Sequence, residues 1–175
     1  MSTVIDCGAC VLRPWRASDA KIITPLMNDK AVWINLSDRV PHPYLLKHAK
    51  QFIALHSRKK RPMALAITVN DAPVGGIGII PGDGISRVSA EMGYWLGRQH
   101  WGGGLGTSAL VGMTKYVAET FEFTRIFALV FKRNPSSARI LEKAGYVREG
   151  EMRQSVIKDG VIEDEYLYAY YIKKA

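Results

Sequence analysis

Four glycines within five positions, Gly102, Gly103, Gly104 and Gly106, stand between a strand-like run, EMGYWL, and a long helical pattern. A stretch without side chains lets the chain turn tightly and leaves backbone N–H groups bare in front of the helix. Such amides converge on an anion, with the positive end of the helix dipole behind them. Glycines also make tight strand-to-helix turns with no ligand at all, so both readings stay open at this point. The turn is not a Walker loop, because no G-K-[ST] follows. Nor is it a dinucleotide fingerprint, because it does not follow the first strand of a βαβ unit.

The helix after the turn carries Leu105, Ala109, Met113, Val117 and Phe121 on one stripe, which should pack on a sheet. Upstream, ACVLRPW reads as a strand, and a helical pattern follows with Ser18 and Asp19 as candidate caps. A second helix is expected from about Leu45 to Ser57. MALAITV and VGGIGII read as an antiparallel hairpin turning through Asn70, Asp71, Ala72 and Pro73. A third strand runs from Ser89 to Leu96. Downstream, RIFALVF is a strand, Asn134 and Pro135 open a short helix, and Gly145 closes it in a left-handed conformation. Tyr146 is expected to pack as the first core residue of the next strand. Strands over Tyr146 to Ile157 and Val161 to Ile172 join through Lys158, Asp159 and Gly160. This order predicts an α/β (α+β) fold, a single mixed, mostly antiparallel sheet with helices on both faces, and one domain over residues 1–175.

The 24 Lys and Arg against 16 Asp and Glu give a formal charge of +8, which favours anionic partners. The densest basic cluster, Arg58, Lys59, Lys60 and Arg61, follows a helical stretch and reads as a solvated helix end. No nucleic-acid-binding signature accompanies it. No apolar run approaches the roughly 20 residues of a membrane span, and the first residues do not read as a signal peptide, so a cytoplasmic protein is expected. The two cysteines, Cys7 and Cys10, have C-x-x-C spacing, but no second pair of ligands sits at matching spacing to complete a zinc site. Placed in a strand, residues three apart point to opposite faces and resist bridging. No chemistry is assigned to them, and no metal is expected.

Taken together, LRPWRASDA, EMGYWLGRQHWGGGLGTSAL, NPSSARILEKAGYVREG and the closing tyrosine-rich strand resemble, in this order, the GNAT superfamily of N-acetyltransferases. Within it they are most similar to the branch of RimJ- and RimL-like ribosomal-protein N-terminal acetyltransferases. The resemblance implies that Trp101, Gly102, Gly103, Gly104, Leu105, Gly106 and Thr107 hold the pyrophosphate of coenzyme A. Trp101 departs from the pattern, which often opens there with Gln or Arg. It further implies that the strand ending Tyr94, Trp95 and Leu96 splays from its neighbour and pairs by main chain with the pantetheine arm. An N–H there would face the thioester oxygen, where a fixed donor is typically worth about 3 kcal/mol of barrier. Asn134 matches a position whose side chain holds the pantetheine; a plain helix N-cap is the other reading, and the two roles are compatible.

The implied reaction is transfer of acetyl from acetyl-CoA to a primary amine by direct attack in a ternary complex. An α-amine titrates near 8 and needs little help, whereas deprotonating a lysine at neutral pH costs about 4.6 kcal/mol. By resemblance Glu91 is the candidate general base, against a merely solvated carboxylate. The tyrosine that many members use as the acid is replaced by Leu141. Ser137 is the candidate acid implied by the RimL-like branch, against a residue that only satisfies the first helical turn. The acceptor, a protein N-terminus or a small-molecule amine, should lie between Met27 to Tyr44 and Glu149 to Glu165. A non-catalytic acyl-CoA-binding module on the same fold is the rival class. The expected partners are acetyl-CoA and the amine, with a homodimer left open, and neither nucleic acid nor a membrane among them.

Overall fold

The computed structural model describes residues 3–57 and 59–173. Arg58 of the basic cluster and both extreme ends of the chain lie outside the described residues. Eight strands form one sheet in the order β1-β2-β3-β4-β5-β6-β8-β7. These are β1 (Ile5–Asp6), β2 (Val11–Arg13), β3 (Ala64–Val69), β4 (Ala72–Pro81), β5 (Ser89–Leu96), β6 (Arg125–Phe131), β7 (Val147–Lys158) and β8 (Val161–Tyr171). Five helices accompany them: α1 (Asp19–Asn28), α2 (Lys30–Trp33), α3 (Leu46–His56), α4 (Leu105–Thr120) and α5 (Pro135–Lys143). All strand pairs are antiparallel except β5 with β6.

The period-2 alternation of the strands divides the core in two. Leu65 and Ile67 of β3 face α4 and α5, joining Leu110, Met113, Val117 and Leu141 in one cluster. Ala66, between them, faces the other way onto Trp15, Ile23, Met27 and Ile53, the cluster under α1 and α3. Helices therefore cover both faces, as the sequence predicted. Ala109, Met113 and Val117 are fully buried, and each of the two larger side chains contributes about 1.5–3 kcal/mol by leaving water. Phe121, placed on the same stripe, is the residue just past the helix end and packs on the core from there. Tyr146, just ahead of β7, is buried as expected.

Several local expectations are corrected. Ser18 precedes α1 but its side chain caps nothing. Asp19, the first helical residue, caps no helical N–H either: it reaches back to accept from the Arg16 N–H at 2.8 Å while the Arg13 guanidinium grips both its oxygens at 2.8 and 3.0 Å. The β3–β4 turn is tighter than expected: only Asn70 and Asp71 turn, both at left-handed φ (50° and 65°). Ala72 and Pro73 already belong to β4, and Pro73 pairs where the register shifts between Ile67 and Thr68, so its missing N–H breaks no regular ladder. The β7–β8 turn likewise narrows to Asp159 and Gly160, with Lys158 inside the strand. Among the described residues, the two-residue β1, the four-residue α2 and two single 3-10 turns, Gly84–Ser86 and Arg98–His100, escaped the sequence reading.

One part of the cysteine reading, that the two thiols point to opposite faces, is overturned. The β1–β2 register, Ile5 opposite Leu12 and Asp6 opposite Val11, continues to Cys7 opposite Cys10 across the two-residue turn Gly8–Ala9. Cross-strand partners share a face. The assumption of one continuous strand was what put the two thiols on opposite sides.

Candidate active site

The site begins where the one parallel pair among the described residues comes apart. β5 and β6 are in register through Ser89 with Arg125, Ala90 with Ile126 and Glu91 with Phe127. Beyond Glu91, β5 keeps its ladder to β4 alone, up to Leu96 opposite Gly75, while β6 continues against β8. The strand carrying Tyr94, Trp95 and Leu96 therefore splays from its neighbour, as the resemblance implied. β4 can lie this close to β5 because Gly75 has no side chain: a Cβ there would sit 2.2 Å from the Trp95 carbonyl oxygen.

The glycine turn stands at the mouth of this opening. Gly102 and Gly104 have left-handed φ of 81° and 78°. The first helical bond of α4 is made by Ser108, whose N–H donates to the Gly104 carbonyl at 3.1 Å. The amides of Leu105, Gly106 and Thr107 precede that bond, and no side chain caps this helix. Space is open beyond Gly102, Gly103 and Gly104, where an added Cβ would meet nothing within 4 Å. Gly106 is different, being buried against the Ile140 side chain of α5. Trp101 is half exposed and its indole N–H donates to the Leu96 carbonyl at 2.9 Å, tying the turn to the end of β5. The residue that departs from the family pattern thus braces the turn.

Across the opening, α5 contrasts with α4. Its N-terminus is capped: Asn134 Oδ1 accepts from the Ser137 N–H at 3.2 Å, so the cap reading of Asn134 is correct and its amide nitrogen is left over for other work. Ser137 Oγ lies 2.8 Å from the Tyr94 hydroxyl, which also lies 3.2 Å from the Ser137 carbonyl. Tyr94 thus bridges β5 and α5 across the gap, a side-chain role the sequence reading missed while assigning it a main-chain one. Burial pushes its hydroxyl up to about 12, with the Ser137 bond pulling the other way, so it is protonated at neutral pH.

Glu91, half buried at the last position of β5 paired with β6, points to the face opposite Ala90 and Met92, the face also carrying Phe127 and Ala169. A second carboxylate belongs to this face. Glu165 of β8 sits opposite Phe131, two strand repeats from Ala169, and is 8% exposed. It accepts one hydrogen bond, from the Ser155 hydroxyl at 3.2 Å. Burial raises its carboxyl above the ordinary range, and the charge of Glu91 raises it further. A period-2 reading of EDEYLYAYY separates Glu163 and Glu165 from the tyrosine stripe, but only the register of β6 against β8 shows that Glu165 shares the face of Glu91.

Cations hold the α2 region down on the β7–β8 hairpin. Arg133 donates to Glu163 at 2.6 Å, to Asn35 at 2.7 Å and to the Ile34 carbonyl at 2.7 Å. Lys158, 2% exposed, donates to Asp38 at 2.8 Å and lies 3.8 Å over the Trp33 ring. The two regions expected to form the acceptor pocket are thereby in contact. Among the described residues no group of three or more His, Cys, Asp or Glu could hold a metal ion, and no helix is long and apolar enough to cross a membrane.

An opened parallel pair flanked by uncapped helix amides and a hydroxyl pair is the frame of an acyl-group transferase. The acetyltransferase (GNAT) domain model matches residues 10–147, and the chain belongs to this family of acetyltransferases. Among curated relatives it is 40% identical over 81 residues to the probable N-acetyltransferase YjcK of Bacillus subtilis, covering 46% of this chain and 45% of that one. It is 26% identical to the uncharacterized N-acetyltransferase YoaA of Bacillus subtilis over 97% of each chain. With the ribosomal-protein-serine acetyltransferase of Escherichia coli it shares 28% identity, over 67% of this chain and 64% of that one. Among solved structures, a GNAT acetyltransferase from Bacillus anthracis superposes with a TM-score of 0.84 at 19% identity, over 98% and 100% of the two chains. The microcin C7 self-immunity acetyltransferase MccE, in complex with acetyl-CoA and AMP, gives 0.80 at 20%, over 94% and 93%. RimL, the ribosomal L7/L12 α-N-protein acetyltransferase in complex with coenzyme A, gives 0.82 at 20%, over 97% and 98%. At these identities the structures speak for the fold.

Proposed function

We propose that residues 1–175 act as one cytoplasmic acetyl-CoA-dependent N-acetyltransferase that acetylates a primary amine, a protein N-terminus before a small molecule, by direct attack in a ternary complex. The observation that carries this reading is the opened β5–β6 pair beside the uncapped amides of α4, which fits a ligand with phosphates at one end and a strand-like arm at the other. The neighbours solved with acetyl-CoA or coenzyme A support the same donor. The amides from Gly102 to Thr107 would take the pyrophosphate, beside Trp101, whose own N–H donates to the Arg98 carbonyl at 3.2 Å. Main-chain groups of Tyr94, Trp95 and Leu96, together with the spare amide nitrogen of Asn134, would take the pantetheine arm, and an N–H of β5 would meet the oxygen on which charge develops.

Ser137 is the proposed acid. The Tyr94 proton has two acceptors, the Ser137 carbonyl and the Ser137 hydroxyl. When it goes to the hydroxyl, the Ser137 proton is free to point at the departing thiolate, so Tyr94 decides which way Ser137 donates. Glu91 is the proposed base. Glu165 is a second carboxylate on that face, its raised affinity for a proton closer to what a base working near neutrality needs. Two carboxylates together also attract an acceptor that arrives as an ammonium ion.

The deciding experiment mixes the protein with acetyl-CoA and, separately, N-terminal peptides, polyamines and amino acids, and follows release of free thiol. Turnover with peptides alone supports the N-terminal reading, and turnover with free amines alone replaces it. Binding of acetyl-CoA without turnover on any amine would favour the non-catalytic module.

A further inference from the structure

Neither cysteine takes part in the proposed reaction, yet the fold sets the two thiols side by side. Cys7 and Cys10 flank the Gly8–Ala9 turn, and the Cys7 N–H donates to the Cys10 carbonyl at 2.9 Å. Gly8 turns at a left-handed φ of 77° and its N–H is held by Asp6 at 2.8 Å, so the turn is fixed from within. Residues directly opposite in such a ladder have Cα atoms about 4.5–5.5 Å apart, inside the usual disulfide range of about 4.4–6.8 Å. Both side chains lie on the α4 face, and the Cys7 thiol donates to the Ile5 carbonyl at 3.7 Å. The Cys10 sulfur also lies 3.9 Å from the carbonyl of Leu105, the first residue of α4. Helix α4 is notched under the pair: a Cβ on Gly112 would sit 2.3 Å from the Cys7 sulfur. Exposure is unequal, Cys10 being 4% exposed and Cys7 half buried.

We propose that Cys7 and Cys10 form a reversible disulfide site, oxidised by thiol–disulfide exchange with a small-molecule disulfide, Cys7 attacking first and Cys10 resolving. The Cys7 thiolate attacks one sulfur of the disulfide RSSR, forming Cys7–S–S–R and expelling RS⁻, which takes up a proton. Cys10, losing its proton to solvent, then attacks the Cys7 sulfur and expels the second RS⁻. Two protein thiols are oxidised and one small disulfide is reduced to two thiols. The order follows from access and from chemistry. Cys7 is the more accessible sulfur, and the neighbouring thiols shift each other in opposite directions, Cys7 below its ordinary range and Cys10, with burial, above it, so the thiolate forms on the accessible sulfur. Oxidation removes the Cys10 contact to Leu105, one residue from the glycine turn.

The site is independent of which amine is acetylated, and its test needs no activity. The reduced full-length protein is incubated with oxidised glutathione and followed by intact mass and thiol titration. The wild type is expected to lose both of its two thiols and two hydrogens of mass, to retain no glutathione, and to recover fully with dithiothreitol. Cys10→Ser should stop at one glutathione on Cys7, and Cys7→Ser should react slowly if at all. A wild type that keeps two free thiols, or that holds one glutathione as firmly as Cys10→Ser does, overturns the proposal. Far-UV circular dichroism on each variant checks that the fold is kept.

Discussion

On one side of the β5–β6 opening the protein presents bare main chain: three consecutive glycines, open space beyond each, and a helix that nothing caps. On the other side three cations are engaged, with Arg133 on three partners, Lys158 on Asp38 and Trp33, and Lys132 bridging Glu151 at 2.7 Å and Asp164 at 3.4 Å. A surface that recognises a constant chemical group with backbone amides needs no side chains and tolerates none. A surface that selects one amine among many needs side chains, and on the proposed acceptor side they are held by one another.

Substitutions on the two sides should therefore fail differently. At the boundary, Glu91→Gln should have the largest effect, lowering turnover by about 10²- to 10⁴-fold with acetyl-CoA affinity nearly intact. An unchanged pH–rate profile and rate would hand the role of base to Glu165 or to water. On the glycine side, Gly103→Glu should weaken acetyl-CoA binding by at least about 100-fold in calorimetry, roughly 2.7 kcal/mol, with melting temperature held. Gly103 is a cleaner probe than Gly104, whose φ of 78° adds about 1–2 kcal/mol of strain to any side chain. Full affinity in a folded variant would remove the phosphate assignment.

Smaller effects refine the picture. Ser137→Ala should lower the saturated rate by roughly 10-fold or less, since a thiol of pKa about 8.5 leaves fairly well unprotonated. Tyr94→Phe should reproduce part of that loss if Tyr94 sets the direction of the Ser137 hydroxyl. A normal rate with earlier melting, by a cap-like ~1 kcal/mol, would reduce Ser137 to a residue of the first helical turn. The smallest effect is expected on the engaged side. Because burial raises the Glu165 carboxyl, the folded state holds its proton more tightly than the unfolded chain, and stability is lost as pH rises through the raised value. Glu165→Gln should then melt higher than wild type at pH 7, about 2–4 °C for each ~1 kcal/mol. The gap should close below the ordinary glutamate value of about 4.3. A variant that melts lower at pH 7 would show that the Ser155 bond outweighs burial.

The sequence disclosed the two sides to different degrees. The bounds of β5 and β6, the glycine turn and the capped start of α5 could all be read, because each is written in contiguous residues: an apolar run, a Gly cluster, an Asn-Pro pair. The partnership of Tyr94 with Ser137, the pairing of Lys158 with Asp38 and the shared face of Glu91 and Glu165 join residues 43, 120 and 74 positions apart in the numbering. These depend on register and on helix placement, which no local pattern encodes. The cysteines failed for the opposite reason: the spacing was visible, but a two-residue strand on one side of it, β1, was too short to announce the turn.

The opening between β5 and β6 also ties occupancy to folding. In an antiparallel strand alternate residues direct both N–H and C=O to opposite neighbours, so past Glu91 half of the β5 groups face β4 and the other half face the gap. Those facing the gap should exchange their amide hydrogens readily with solvent in the free protein and slowly once an extended ligand lies along them. Such a ligand behaves as a missing strand, and whatever binds only the folded chain stabilises it by mass action, about 2.7 kcal/mol at a hundredfold excess over Kd. The protein reports its own loading as a rise in melting temperature, and exchange along Met92–Leu96 would show where the load sits.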